Sequence, residues 1–330
     1  MSRPDALPKV IATSVIRSSH QGESHGGLYL VDMETGDVRQ LLDWNALDIS
    51  WEGRGGDRGL RGIAFWRDQI ILAASDEIFY YSFAMERLRS ERHRYLKHCH
   101  EIQVDGDDLL ITSTGFDSIL RYSLADRRFI AGYCIRYRSA LGRRLKRVGI
   151  RTTPAVWTFD PHADGGPTPA DTTHINHVWP DRDGSFWVSG THLGYMMRIS
   201  KQGTIVAKKA LPFGTHNARP WDGGILANFT RDEVTGVQRG PLRRITPRIE
   251  PPVYRAEEMT HTNLPQDHAR PAFARGLAVH EDAKHGTIVA VGSSPATISL
   301  YRLEDGELLR RVQITDDVRN AIHGLEIYPA

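Results

Sequence analysis

The sequence repeats itself. Segments opening at Arg61 (RGIAFWRDQIILAAS), His100 (HEIQVDGDDLLITST), His177 (HVWPDRDGSFWVSGT) and His216 (HNARPWDGGILANFT) share one plan. In each, a short segment runs into a polar turn, and a second apolar run begins nine residues after the first letter, at Ile70, Leu109, Phe186 and Ile225. Two copies vary it: Arg275 opens RGLAVHEDAKHGTIVAVGS, whose turn is four residues longer, and His323 opens HGLEIYPA. Third runs follow (EIFYYSF, SILRYSL, GYMMRIS, TISLYRL), and most lead through a turn to a fourth (RFIAGYCI, TIVAKKAL, ELLRRVQI). β-branched and aromatic strands separated by Asp/Gly turns read as hairpins. Four such strands per unit, at an average spacing near 55 residues over 330, predict an all-β chain folded as a β-propeller.

The sixth copy has room for one strand only. Its missing three stand at the other end of the chain, as KVIATSVI, GGLYLVDM and DVRQLLDW. A last blade built from both N- and C-terminal strands closes the ring and leaves no open edge. The expectation is therefore one six-bladed propeller domain over residues 1–330, with insertions at 136–173 and 248–272. The first insertion carries a basic run, Arg143, Arg144, Lys146 and Arg147, which reads as a solvated loop or short helix, or as a patch for an anion or partner. A Gly/Arg-rich loop, SWEGRGGDRGLRG at 50–62, resembles a phosphate cradle weakly, since no helix pattern follows it.

Charge narrows the function. Lys+Arg total 42 against 40 Asp+Glu, and a net charge of +2 argues against nucleic acid as partner. No uninterrupted apolar run is long enough for a membrane helix, and the N-terminus does not read as a secretory signal. Two cysteines, Cys99 and Cys134, make no disulfide framework and fit a reducing compartment. A cytoplasmic location is expected, and the sequence leaves the oligomeric state open.

The repeat gives the histidines their meaning. Arg61, His100, His177, His216, Arg275 and His323 fall at equivalent positions, one per blade, at the start of the strand that lines a propeller's channel. Their spacings of 39, 77, 39, 59 and 48 look arbitrary, yet pseudo-symmetry would gather them about one axis. Neutral imidazole is a common ligand for divalent transition metals, so His100, His177, His216 and His323 are candidate metal ligands. Iron(II) is the favoured ion, with manganese, zinc, calcium and copper open. A guanidinium is repelled by a bare cation and suits an anion, which makes Arg61 and Arg275 candidates for binding a small anionic substrate. Asn217 and Arg219 stand just after His216 and would add to that binding. Glu101, Asp117 and His192 are candidates for moving protons; His20 and His25 occupy the matching loop of the closing blade. Asp57 and Arg58 precede Arg61. His98 and His174 lie close enough to the aligned histidines to replace them if the register shifts. His162, His261, His268, His280 and His285 read as surface residues, and Trp66, Trp179, Trp187 and Trp221 as packing between blades. A single histidine at a strand start is commonly a hydrogen-bonded core residue, and the ring as a whole could also be channel packing.

The openings LRGIAF, CHEIQV and ARGLAV resemble those of bacterial six-bladed propellers of the NHL, SMP-30 and strictosidine-synthase-like class, over nearly the whole chain. That resemblance implies architecture and names no reaction. Three analogies bear on chemistry. The four histidines look like those that hold Fe(II) in carotenoid cleavage oxygenases, which have seven blades. Oligogalacturonate-lyase-like propellers combine a divalent metal on channel histidines with an arginine for an anionic sugar. Arylsulfate sulfotransferases use His and Arg on six blades, without a redox metal. The leading expectation is a metal-dependent enzyme, an oxygenase or a lyase, acting on a small anion. A metal-free sulfo- or phosphotransferase and a non-catalytic binding module are the alternatives.

Overall fold

The computed structural model describes residues 6–20, 22–45, 59–138, 150, 152–240, 244–263 and 271–329. The chain enters through β1 (Lys9–Ile16), β2 (Gly27–Asp32) and β3 (Val38–Asp43). The first full sheet is β4 (Ile63–Trp66), β5 (Gln69–Ala74), β6 (Glu77–Ser82) and β7 (Arg87–Arg92). The second is β8 (Cys99–Asp105), β9 (Asp108–Ser113), β10 (Ser118–Ser123), β11 (Arg128–Arg136) and β12 (Ala155–Phe159). The third is β13 (Ile175–Pro180), β14 (Phe186–Gly190), β15 (Tyr195–Ile199) and β16 (Ile205–Ala210). The fourth is β17 (Thr215–Trp221), β18 (Gly224–Phe229), β19 (Val234–Arg239) and β20 (Arg244–Ile249). The fifth is β21 (Leu277–Asp282), β22 (Gly286–Ser293), β23 (Thr297–Arg302) and β24 (Leu308–Gln313). Finally β25 (Asn320–Ile327) pairs antiparallel with β1 and completes the sixth sheet in the order β25-β1-β2-β3. The protein is an all-β, six-bladed β-propeller whose last blade is shared by both ends of the chain.

The described residues fall into two compact units: a central one, Ala64–Pro220, and a terminal one, Met1–Ile63 with Trp221–Ala330. In the central unit, strand periodicity explains why inner strands read as continuous apolar runs. Along β9, Leu109 and Ile111 pack against Ile71, Ala73 and Tyr80 of the first sheet, and Leu110 packs with Val178, Phe186 and Val188 of the third. Both faces of the strand are buried, so no polar alternation survives. In the terminal unit, Val10, Ala12, Ala290, Ile298 and Ile322 form the matching core between the fifth and sixth sheets. Outermost strands such as β3 and β7 are largely exposed and charged.

Two features depart from the sequence reading. The 136–173 insertion contributes β12, a fifth strand on the outside of the second sheet, where Phe159 covers Gly132. The insertion at 248–272 sends Tyr254 to Thr297, with a hydroxyl–hydroxyl distance of 2.8 Å, and bridges Thr260 to Asp317. The run Arg143, Arg144, Lys146 and Arg147, most of the 50–62 loop with Asp57 and Arg58, and His268 lie outside the described residues. Among the described residues no helix is long and apolar enough to cross a membrane. Cys99 and Cys134 are buried free thiols, and burial pushes the Cys134 thiol up to about 11, which leaves it inert at neutral pH.

The first strands carry a repeated irregularity where the aligned residues stand. Pairing slips between Cys99 and Ile102, between Ile175 and His177, and opposite Ala12/Ser14, where Ile322 and Leu325 flank His323. A β-bulge adds an unpaired residue and re-aims its neighbours. Second-strand hydroxyls fill these bulges. Thr112 Oγ1 accepts from the His100 amide at 3.0 Å and donates to the Glu101 carbonyl at 2.9 Å. Thr13 Oγ1 accepts from the Gly324 amide at 2.8 Å and donates to the Arg61 carbonyl. Asn176, itself in a bulge, donates through Nδ2 to the Thr215 carbonyl at 2.9 Å. The positions are fixed by backbone bonds before any ligand arrives.

Candidate functional site

In the central unit the bulges turn polar side chains inward. His100, Glu101, His177, His216, Asn217 and Arg219 are all buried. Asn217 takes a left-handed conformation (φ 53°) and donates through Nδ2 to Glu101 Oε1 at 3.2 Å. Glu101 belongs to the second sheet and Asn217 to the fourth, with the whole third sheet between them in sequence. Their contact joins the start of β8 to the start of β17.

His177 is the most deeply buried imidazole of the group. It is 1% exposed, and neither ring nitrogen has a hydrogen-bond partner among the described residues. Its ring stacks with Trp179 (centroids 6.2 Å, 23° between planes), and the Arg219 guanidinium lies 4.5 Å from the Trp179 ring centroid. Burial, reinforced by the charge of Arg219, holds the His177 imidazole well below its usual value, so it is neutral at physiological pH. Trp179, read from sequence as packing between blades, packs on His177 of its own strand and on Arg219 of the fourth sheet.

This burial sets a pH dependence. The unfolded chain takes up a proton at His177 near the ordinary value of 6.5, whereas the folded protein does so only well below it. Its contribution is therefore intact above the unfolded value and is lost as pH falls toward the folded one. The wild type should lose stability relative to His177→Gln below that point, by up to about 1.4 kcal/mol per pH unit. Urea midpoints at several pH values from 5 to 8 check this; parallel curves would refute it.

Asp117 and His192 were expected to handle protons. Asp117 is completely buried and its carboxylate is committed. Oδ1 accepts from the Thr172 and Thr173 amides and the Thr173 hydroxyl at 2.9, 2.8 and 2.6 Å, and Oδ2 from the Thr172 hydroxyl and Arg136 at 2.8 and 3.1 Å. It fastens the end of the first insertion to the second sheet. The segment so fastened continues into His174, with φ 47°. His174 Nδ1 lies 2.8 Å from Asp171 Oδ2, and its ring centroid lies 5.3 Å from His100 and 5.5 Å from the exposed His192. Asp171 is a residue sequence reasoning missed. Its signal was the triplet spacing to His174.

In the terminal unit, Arg61 is 1% exposed and is held through its carbonyl by Thr13. Arg275 Nη1 lies 2.9 Å from His323 Nε2, so the guanidinium donates and the imidazole accepts. Arg275 also lies over Phe273, 4.7 Å from the ring centroid. His25 is buried in the closing blade and His20 is exposed. His280 and His285 sit on or beside the β21–β22 turn, partly exposed, as surface residues would.

The expected metal set fits these surroundings poorly. The Nε2 lone pair of His323, one of the two nitrogens through which an imidazole binds a cation, is already used by Arg275. Arg219 places a positive charge beside His177. Among the described residues no three His, Cys, Asp or Glu side chains are gathered so as to hold a metal ion. What the residues do offer is guanidinium next to neutral imidazole, a pairing suited to anions.

No family model matches the chain, and no curated protein matches it. A protein of unknown function from Bacteroides caccae superposes with a TM-score of 0.56 at 10% identity, covering 97% of this chain and 98% of that one. A catalytically inactive variant of virginiamycin B lyase from Staphylococcus aureus, with quinupristin, gives 0.45 at 11% identity over 81% and 73% of the two chains. The WD40 propeller domain of Doa1 gives 0.48 at 7% identity over 94% and 83%. The likeness is one of fold.

Proposed function

We propose that this propeller is a metal-independent acid–base enzyme acting on a small anionic molecule. The observation that carries the reading is the neutral, buried His177 imidazole beside the Arg219 guanidinium. A substrate carboxylate, phosphate or sulfate would be held by Arg219, whose guanidinium lies over Trp179. His177, neutral with both nitrogens uncommitted, would accept a proton from the bound molecule. Glu101, oriented by the Asn217 amide, is the candidate for a second proton-handling group. Such proton abstraction beside an anionic group is the chemistry of eliminations and isomerisations. The His323–Arg275 contact supports the metal-free form over an iron or other divalent site.

The test is thermal unfolding with phosphate, sulfate and malonate as probes. A ligand that binds only the folded protein raises the midpoint with concentration. Saturable stabilisation by one of these anions, weakened about tenfold or more in Arg219→Met, is expected, since hydrogen bonds to charged groups contribute about 1.5–3 kcal/mol. No saturable stabilisation in the wild type would remove the proposal. Plasma-emission analysis of purified protein completes it: a stoichiometric divalent metal that raises thermal stability would restore the four-histidine reading.

A further inference from the structure

Beside the buried base lies a second arrangement that this function leaves unused. Asp171 comes from the end of the first insertion and His174 follows that insertion directly, just where Asp117 pins the backbone. The clamp is reinforced from the third sheet: the Thr191 amide donates to the His174 carbonyl at 3.1 Å and the His192 amide to the Thr173 carbonyl at 3.2 Å. A Cβ at Gly190 would lie 2.6 Å from both the Thr173 and His174 carbonyl oxygens, so the close approach requires glycine there. His174 is thereby held in a left-handed conformation that a histidine rarely adopts, one residue before its strand; His98 takes the same conformation (φ 50°) one residue before β8. Costly backbone geometry fixes where the ring points.

The ring faces three partners. Asp171 Oδ2 is 2.8 Å from Nδ1, His100 lies edge-on at 72°, and His192 is tilted at 54° on the solvent side. Exposure falls along the row, from exposed His192 through half-buried His174 to His100 at 7%. Burial works to raise the Asp171 carboxyl, yet the hydrogen bond from His174 and the nearby His192 and His98 outweigh it and hold Asp171 below the usual carboxylate range. Asp171 is thus a carboxylate that accepts from Nδ1–H and leaves the Nε2 lone pair free of that bond.

We propose that Asp171 and His174 form a carboxylate-oriented imidazole that hands protons between exposed His192 and buried His100. The proton is taken up at His174 Nε2, giving an imidazolium neutralised by Asp171, and is released from Nε2 to the other neighbour; nothing else is consumed. The inference rests on the acid–base reading of the adjoining site, whose proton-carrying groups the row would connect to solvent. Asp171 acts here as a positioning residue.

Diethyl pyrocarbonate at neutral pH, followed by peptide mass spectrometry, tests it without any substrate. It acylates neutral imidazole nitrogen, so its rate at His174 reports the nucleophilicity of Nε2. Asp171→Asn should slow acylation of His174 about tenfold while that of His285 is unchanged. Nitrogen-15 spectra of the rings should show the Nδ1–H tautomer of His174 in wild type and a mixture in Asp171→Asn, with Asp171→Glu restoring the wild-type pattern. Unchanged rate and tautomer would overturn the relay. Anion stabilisation retained alongside that result would leave the site itself standing, whereas its loss with the His174 signature intact would remove the site and keep the oriented imidazole.

Discussion

Replacing Asp117 with alanine should lower the unfolding free energy by about 3–5 kcal/mol, the cost of breaking a buried ion pair by removing one partner. Asp117 is 0% exposed at its side chain and Arg136 15%, so the guanidinium would be left nearly without water or counter-charge. The two threonine amides and two hydroxyls that now donate to the carboxylate would lose their acceptor as well. Asp117→Asn should recover part of the loss, because an amide keeps one acceptor oxygen. Urea unfolding measures both; an alanine variant within about 0.5 kcal/mol of wild type would contradict the geometry. Because Thr172 and Thr173 lead into His174, the same variant should also blur the His174 tautomer.

Gly324→Ala is expected to cost about 3 kcal/mol, the upper part of the range for overpacking. An added Cβ would press on the Arg61 carbonyl oxygen and lie 2.7 Å from Thr13 Oγ1. Neither can yield independently, since that hydroxyl already joins the Gly324 amide to the Arg61 carbonyl. Thr13→Val removes the same junction without crowding and should cost less. A lowered urea midpoint with unchanged slope would show that stability fell without a change in the surface exposed on unfolding. If Gly324→Ala unfolds like wild type, the hydroxyl-filled bulge is not the element that fixes Arg61.

The blade plan was legible because inner strands are buried on both faces and repeat. β1 spans KVIATSVI residue for residue, and the nine-residue offset places Phe186 as the first residue of β14 and Ile70, Leu109 and Ile225 one residue inside theirs. Outer strands were harder. RLRSER, which forms β7, is charged and largely exposed, so no apolar rhythm marks it. β12 was hidden in an insertion whose pairing to β11 runs from Arg136 with Ala155 to Gly132 with Phe159, residues distant in sequence.

The site was legible to the extent that it follows the repeat. Buried His100, His177 and His216 were placed by alignment, and the Glu101–Asn217 bond joins two of the blades so aligned. Asp117 carried the right residue type in the right loop, but its oxygens turn out to be occupied by Thr172, Thr173 and Arg136, which no repeat could announce. Asp171 was missed for the same reason: its partner, His174 with φ 47°, is set by a tertiary clamp. The bulges did leave a trace, since Thr112 and Ser189 each stand three residues after a recognised second-run start, as polar interruptions in apolar strands.

The joining of β25 to β1 has a consequence for how this molecule comes into being. The bond from Gly324 to Thr13 spans 311 residues, so β1 must wait for that length of chain to be made before its neighbour exists. Forming so distant a contact adds only modestly to the equilibrium entropy cost, about 0.6 kcal/mol per doubling of loop length, but it slows folding. Meanwhile Val10, Ile11 and Ala12, fully covered in the finished protein, stay sticky on the ribosome. In the intact chain His323, carried by β25, would be the last of the aligned residues to be assembled, and removing β25 should yield a chain that depends on chaperones.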